Sequence, residues 1–195
     1  MYTQLLEYTF KQFLRKQNSI TSLFPKFKDR VRVLSRKGGI KLYDMLPDGL
    51  WHFKIKSSKK PGVKYDVYLK FKDLDTEIKT FVPIKKLWKK DGSGINYSEL
   101  AAEIFNHADF ELSCGCESDL YYGFKYIRTQ RDAQFGDAEN RRPKIKNPRE
   151  KGIACKHSQL LLTALPFYVQ DLASYLKDYY GDEISKIENK VKGTK

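Results

Sequence analysis

The stretches Leu50–Ser57, LWHFKIKS, and Val63–Phe71, VKYDVYLKF, decide the fold of this chain. In each stretch apolar and polar residues alternate, which is typical of a strand that buries one face and exposes the other. Trp51 and Phe53 lie on the apolar side of the first stretch. Residues 58–62, SKKPG, have the composition of a turn. The sequence therefore predicts a β-hairpin with one buried face.

Weaker signals on both sides extend this hairpin into a sheet. A third strand is predicted at Ile78–Ile84, where Pro83 indicates a sheet edge or a strand end. Extended chain is also predicted from Val31, where apolar and basic residues alternate. Together these segments predict a small antiparallel sheet at about residues 30–85.

Helical periodicity surrounds the sheet with helices, so the predicted fold class is α+β. Apolar residues at helical spacing predict helices over residues 2–17, 98–108, 118–130, 156–165 and 167–180, and Pro166 is expected to kink the chain between the last two or to start a new helix. Ser98 is the expected N-cap of the second helix, and Gly181 is expected to end the last one. Residues 131–152 are predicted to form a long loop, which is unusual inside a compact domain.

Composition narrows the class of protein. With 195 residues, 41% hydrophobic and 14% aromatic, the chain is long enough for a core and is not intrinsically disordered. Three cysteines cannot complete a set of internal disulfides, and residues 1–15 lack the apolar core of a signal peptide. The longest strongly apolar stretch, Leu160–Val169, is too short to span a bilayer. We expect a protein of a reducing compartment that is neither secreted nor in a membrane.

The net charge of +13 is concentrated near the N-terminus, where residues 1–60 contain 14 Lys and Arg against 4 Asp and Glu. A local excess of this kind favours acidic partners, although charge runs are often simply solvated. A second basic cluster lies in the predicted loop. The candidate partner or nucleic-acid contacts are Lys26, Lys28, Arg30, Arg32, Arg36, Lys37, Arg141, Arg142, Lys144, Lys146 and Arg149.

All three cysteines belong to one pattern, Cys114-Gly-Cys116 followed after 38 residues by Cys155-Lys-His157. Three thiolates and one imidazole are the usual ligands of a tetrahedral structural zinc site, and soft sulfur ligands disfavour magnesium and calcium. One zinc ion held here would close residues 117–154 into a loop. The alternatives are a metal-free remnant of such a site, or unrelated free cysteines.

This pattern resembles the SWIM-type zinc finger, whose signature is Cys-x-Cys, a variable insert and Cys-x-His. The resemblance implies DNA binding or protein–protein interaction and no catalysis. The insert between the two pairs also resembles that of proteins of tailed bacteriophages, which implies a virion or assembly component. The elements that carry this second resemblance are YYGFKY at 121–126, NRRP at 140–143, Asn147-Pro148 and Gly152.

Known enzyme signatures are missing from the chain. It has neither a GxxxxGK[ST] nor a GxGxxG loop, and it lacks the His-x-Glu and Pro-Cys-x-x-Cys elements of zinc deaminases. Cys155 as a nucleophile would need a partner within hydrogen-bond reach, and the neighbouring cysteines favour metal binding instead. Four good ligands also leave no open position for a substrate on the metal.

The sequence therefore predicts a non-enzymatic, zinc-stabilised structural or assembly protein. Residues 1–112 are expected to hold the N-terminal helix, the basic sheet and a further helix. Residues 113–195 are expected to hold the zinc module, its long insert and the C-terminal helices, the whole forming one compact unit. The expected partners are other protein subunits of a tailed-phage virion (tail, neck or baseplate), assembled in the host cytoplasm, with no small-molecule substrate. The alternative is a nucleic-acid-binding protein that uses the basic N-terminal patch and the zinc finger.

Overall fold

The computed structural model describes residues 38–121, 124–145, 148–150 and 153–193, together with Gln12, Arg15 and Arg32. Gln12 and Arg15 are helical, as predicted, and the rest of the predicted helix 2–17 lies outside the described residues. Arg32 is also helical, so the extended chain predicted there is wrong at this residue.

A four-stranded antiparallel sheet with strand order β1-β2-β3-β4 confirms the α+β prediction. Its strands are β1 (Ile40–Leu46), β2 (Leu50–Lys56), β3 (Lys64–Phe71) and β4 (Phe110–Cys114). The predicted hairpin is β2 and β3, with Phe53 opposite Val67. Six apolar side chains of β2 and the second half of β3 are almost completely buried, because they form the inner face of the sheet: Trp51, Phe53, Ile55, Val67, Leu69 and Phe71.

The strand predicted at Ile78–Ile84 is wrong, because residues 78–81 lie in a helix, α1 (Leu74–Phe81), and Val82 caps its end. Leu74, Ile78 and Val82 are all buried. Their spacing of four residues fits one face of a helix and outweighs the strand propensity of the segment. The remaining places in the sheet are taken by β1, which the sequence did not predict, and by β4.

The remaining helices differ from prediction mainly at their ends. They are α2 (Tyr97–His107), α3 (Glu117–Tyr121), α4 (Phe124–Thr129), α5 (Lys156–Ala164) and α6 (Val169–Gly193). The prediction of Ser98 as the N-cap of α2 is wrong, because Asn96 caps it by accepting from the amides of Ser98 and Glu99. The predicted helix 118–130 corresponds to the two short helices α3 and α4.

The sequence predicts that the last helix ends at Gly181, and this is wrong. Helix α6 continues to Gly193. Its buried residues include Leu172, Leu176 and Ile184, so the apolar stripe extends on both sides of the glycine. An interior glycine costs a helix about 1 kcal/mol relative to alanine. Burial of Ile184 beyond it offsets that cost at roughly 1.5–3 kcal/mol for one such side chain.

The chain divides into two compact units, and each combines segments from both sides of the predicted boundary after residue 112. The sheet unit comprises the described residues up to Lys72 and Asp109–Thr163, and it contains the sheet, α3, α4 and nearly all of α5. The helical unit comprises Asp73–Ala108 and the chain from Ala164 onward, with α1, α2 and α6. In the described ranges, no helix is long and apolar enough to cross a bilayer.

Candidate metal centre

The sheet and two chain turns bring the four predicted metal ligands together. Cys114 is the last residue of β4 and lies opposite Val67 in the sheet. Cys116 directly precedes α3, and its carbonyl accepts from the Asp119 amide at 2.9 Å. Cys155 precedes α5, and His157 lies in the first turn of that helix. The second pair therefore meets the first although 38 residues separate them in the sequence.

The ligand atoms of Cys114, Cys116, Cys155 and His157 all lie within 4.8 Å of one another. All four residues are buried, and the three cysteines form no disulfide. The Cys114 sulfur lies 3.8 Å from Nδ1 of His157. With metal–sulfur bonds of about 2.3 Å, tetrahedral ligands on zinc lie roughly 3.8 Å apart. The four groups are thus close enough together to hold one metal ion.

The thiols perturb each other's protonation strongly. Hydrogen bonds from Cys114 and then Cys155 lower the pKa of Cys116 to about 4. The pKa of Cys114 is raised well above its usual range, because it donates to Cys116 and Cys155 and because it is buried. A buried cluster that already stabilises one thiolate favours a cation at its centre.

The histidine has an unusual environment for a residue without a ligand. Its imidazole is fully buried and packs against the Tyr65 ring at a centroid distance of 4.7 Å. Nε2 of His157 has no hydrogen-bond partner among the described residues. Nδ1, the nitrogen beside the Cys114 sulfur, is therefore the candidate ligand atom, and a neutral imidazole can offer that nitrogen to a metal ion.

Hydrogen bonds from α5 support the Cys155 sulfur. The Ser158 amide donates to it at 3.4 Å, and the Ser158 hydroxyl lies 3.4 Å from the same sulfur. Such bonds stabilise negative charge on a metal-bound thiolate and fix its orientation. The start of α5 therefore contributes two ligands and their immediate support.

A buried ion pair lies beside the thiols. Arg128 donates to the Asp119 carboxylate, which also accepts from the Cys114 amide at 3.3 Å. The same guanidinium donates to the Ile153 carbonyl at 3.3 Å and to Gln134 Oε1 at 3.0 Å. Arg128 thus connects the beginning of the insert (residues 117–154) with its end.

Asp119 remains charged at neutral pH in spite of its position. Burial raises the pKa of its carboxyl to about 6, and the Arg128 guanidinium opposes that rise. Sequence reasoning missed both residues. Asp119 and Arg128 lie in short helices, where charged residues are common, so nothing in the sequence distinguishes them from surface residues.

The predicted basic contacts fall into two groups. Lys26, Lys28, Arg30, Arg36, Lys37 and Lys146 lie outside the described residues, and Arg32, Arg141, Arg142, Lys144 and Arg149 are exposed. Arg142 pairs with Glu150 at 2.7 Å. Arg141 binds both carboxylate oxygens of Glu139, and these hydrogen bonds lower the pKa of Glu139 to about 2. Two of the predicted contacts are therefore already paired with carboxylates of the insert.

Comparison with known proteins places this centre in no established group. No protein-family model, no curated protein and no solved structure matches the chain.

Proposed function

We propose that Cys114, Cys116, Cys155 and His157 bind one zinc ion, and that this ion has a structural role. The observation that carries the proposal is the buried cluster of four ligand atoms within 4.8 Å. Thiolate and imidazole ligands in tetrahedral arrangement favour zinc among the common protein metals, and sulfur disfavours magnesium and calcium.

The residues around the cluster support a structural rather than a catalytic ion. Four protein ligands complete a tetrahedron, whereas a catalytic zinc keeps one position for water or substrate. The four groups are buried, so a substrate has no exposed ligand to displace. Zinc at this position would join the end of β4 to the start of α5 and close the insert at its base.

For the protein as a whole we propose a non-enzymatic assembly role, as a component of a tailed-phage virion. The support is the resemblance of the Cys-x-Cys…Cys-x-His pattern and its insert, together with large apolar side chains at the surface. Ile145 in the insert is 86% exposed and Phe167 is 85% exposed. Exposed large apolar residues of this kind are available for contacts with other subunits.

Metal analysis of the purified full chain tests the zinc proposal. Elemental analysis and native mass spectrometry are expected to find about one zinc ion per chain. His157→Gln should weaken zinc binding by more than the roughly 10- to 100-fold that loss of a supporting residue causes. A competition titration against a chromophoric chelator measures this change.

His107→Gln is the matched control, because this histidine is exposed and lies in the helical unit. Its zinc affinity should equal that of the unmodified chain. If the analysis finds stoichiometric iron and the protein absorbs visible light, the bound metal is iron and not zinc. A folded, metal-free chain whose melting temperature does not respond to a chelator would contradict metal binding altogether.

A further inference from the structure

A row of rings crosses the outer face of the sheet, opposite the buried face. The Tyr43 ring on β1 meets His52 on β2 edge to face at 5.0 Å between centroids. His52 stacks on Tyr68 of β3 at 4.6 Å, with only 19° between the ring planes. Tyr68 in turn meets Phe135 at 6.0 Å. The row therefore reaches from one edge strand to the other.

Phe135 belongs to this row because the insert runs along β4. The Leu112 amide donates to the Ala133 carbonyl at 2.9 Å, and the Phe135 amide donates to the Leu112 carbonyl at 3.1 Å. This short parallel pairing extends the sheet by one segment. The insert thus supplies the last aromatic ring of the row.

Hydrogen bonding fixes the ring at the middle of the row. Nε2 of His52 lies 2.7 Å from the Asp66 carboxylate on the neighbouring strand. The imidazole is held between Tyr43 and Tyr68 by this bond and by ring contacts on both sides. Tyr43 itself is 60% exposed, so the row presents an accessible aromatic surface at the β1 edge.

Lysines flank the rings and outnumber the acidic residues of the same face. The ammonium of Lys54 lies 4.3 Å from the Tyr43 centroid, and that of Lys70 lies 6.0 Å from the Phe135 centroid. The other lysines of this face are Lys41, Lys56 and Lys64, and its acidic residues are Asp44, Asp66 and Glu111. Asp66 is engaged by His52 and by Lys54.

We infer that this outer sheet face, which we call the aromatic row, binds single-stranded nucleic acid. Exposed bases stack on aromatic side chains, and lysines beside the rings neutralise the phosphates between successive bases. A duplex fits less well, because its bases are already stacked inside the helix. The net charge of +13 adds a long-range attraction for a polyanion. This function involves a surface that contains none of the four candidate metal ligands.

Fluorescence anisotropy with the full chain tests the inference. The probe is a labelled dodecathymidine, titrated at several salt concentrations, with the same length of duplex as a competitor. Tyr43→Ala should weaken binding roughly 5- to 150-fold, the range that loss of one stacking ring produces. Tyr43→Phe keeps the ring and should bind like the unmodified chain. Lys64→Gln should lower the slope of log affinity against log salt by about 0.7, the value for one phosphate contact on a single strand.

Tyr179→Ala is the matched control, since Tyr179 is 56% exposed and lies in the helical unit. It should leave the affinity unchanged, whereas binding through charge alone would leave both tyrosine variants unchanged. Equal affinity for single strand and duplex, or equal loss in Tyr43→Ala and Tyr179→Ala, would overturn the inference. So would binding to vesicles containing phosphatidylserine without binding to the oligonucleotide. Unchanged metal content and melting temperature of Tyr43→Ala establish that the variant is folded.

Discussion

The two units of the molecule differ in what they bury. Among the described residues, six with polar or charged side chains are buried, and all six lie in the sheet unit. They are Asp119, Arg128, Glu139, His157, Ser158 and Gln159. The buried residues described in the helical unit are predominantly aliphatic, such as Leu100, Ile104 and Leu176. The sheet unit therefore adds directional bonds between specific buried atoms to its apolar core, whereas the helical unit depends mainly on apolar area removed from water.

Removal of the metal is expected to have the largest effect on the difference between the two units. A structural zinc contributes on the order of 10 kcal/mol in small zinc-dependent peptides, so a chelator should greatly reduce the stability of the sheet unit. Hydrogen exchange of the full chain, followed by mass spectrometry, should show lost protection in β4 and α5. Amides in α2 and the middle of α6 should keep their protection. Equal loss in both units would show that their stabilities are not separable in this way.

Arg128→Met should have the next largest effect. It leaves Asp119 buried without its partner and removes the donors to Gln134 and Ile153. Loss of one member of a buried ion pair costs about 3–5 kcal/mol. Urea unfolding of the metal-loaded chain measures this loss of unfolding free energy.

Arg142→Met provides the control in the same insert, because its bond to Glu150 is at the surface. Exposed pairs contribute about 0–1 kcal/mol. If both variants lose the same stability, the buried ion pair is not what holds the insert.

Leu176→Ala tests the helical unit in the same way. Leu176 is completely buried on α6, and replacement of a buried leucine by alanine costs about 2–5 kcal/mol. The variant should retain its zinc ion, since the residue lies in the other unit. Ser174→Ala on the exposed side of α6 should leave stability nearly unchanged in the same urea titration. Loss of zinc from Leu176→Ala would contradict the separation, because it would show that the stabilities of the two units are coupled.

The elements that the sequence predicts well are those whose local pattern agrees with their environment. The alternation along β2 and β3 fits a strand with one buried face and does not fit a helix. At Ile78–Ile84 the same apolar residue types fit either a strand or a helix. The outcome depends on which neighbours cover Leu74 and Ile78, and that information is not local.

The four residues of the candidate metal centre could be predicted from the sequence, because their side-chain chemistry, and not secondary-structure propensity, singles them out. Cysteine and histidine in two short pairs carry a signal that survives a separation of 38 residues. Arg128 and Asp119 carry none, because arginine and aspartate are common on helix surfaces. Their burial follows only from the return of the chain at Ile153. The aromatic row was likewise not predicted from the sequence, since His52, Tyr68 and Phe135 come from three separate segments.

The double closure of the insert has a consequence for how this protein can vary. The base of the insert is closed by the bonds of Arg128 and would be closed a second time by an ion on the four candidate ligands. Each doubling of a flexible loop adds only about 0.6 kcal/mol to its closure cost. Added or deleted residues near exposed Ile145 should therefore be tolerated while the base stays intact. The tip of the insert is a position where length and sequence can diverge, and where an epitope could be grafted, without redesign of the fold.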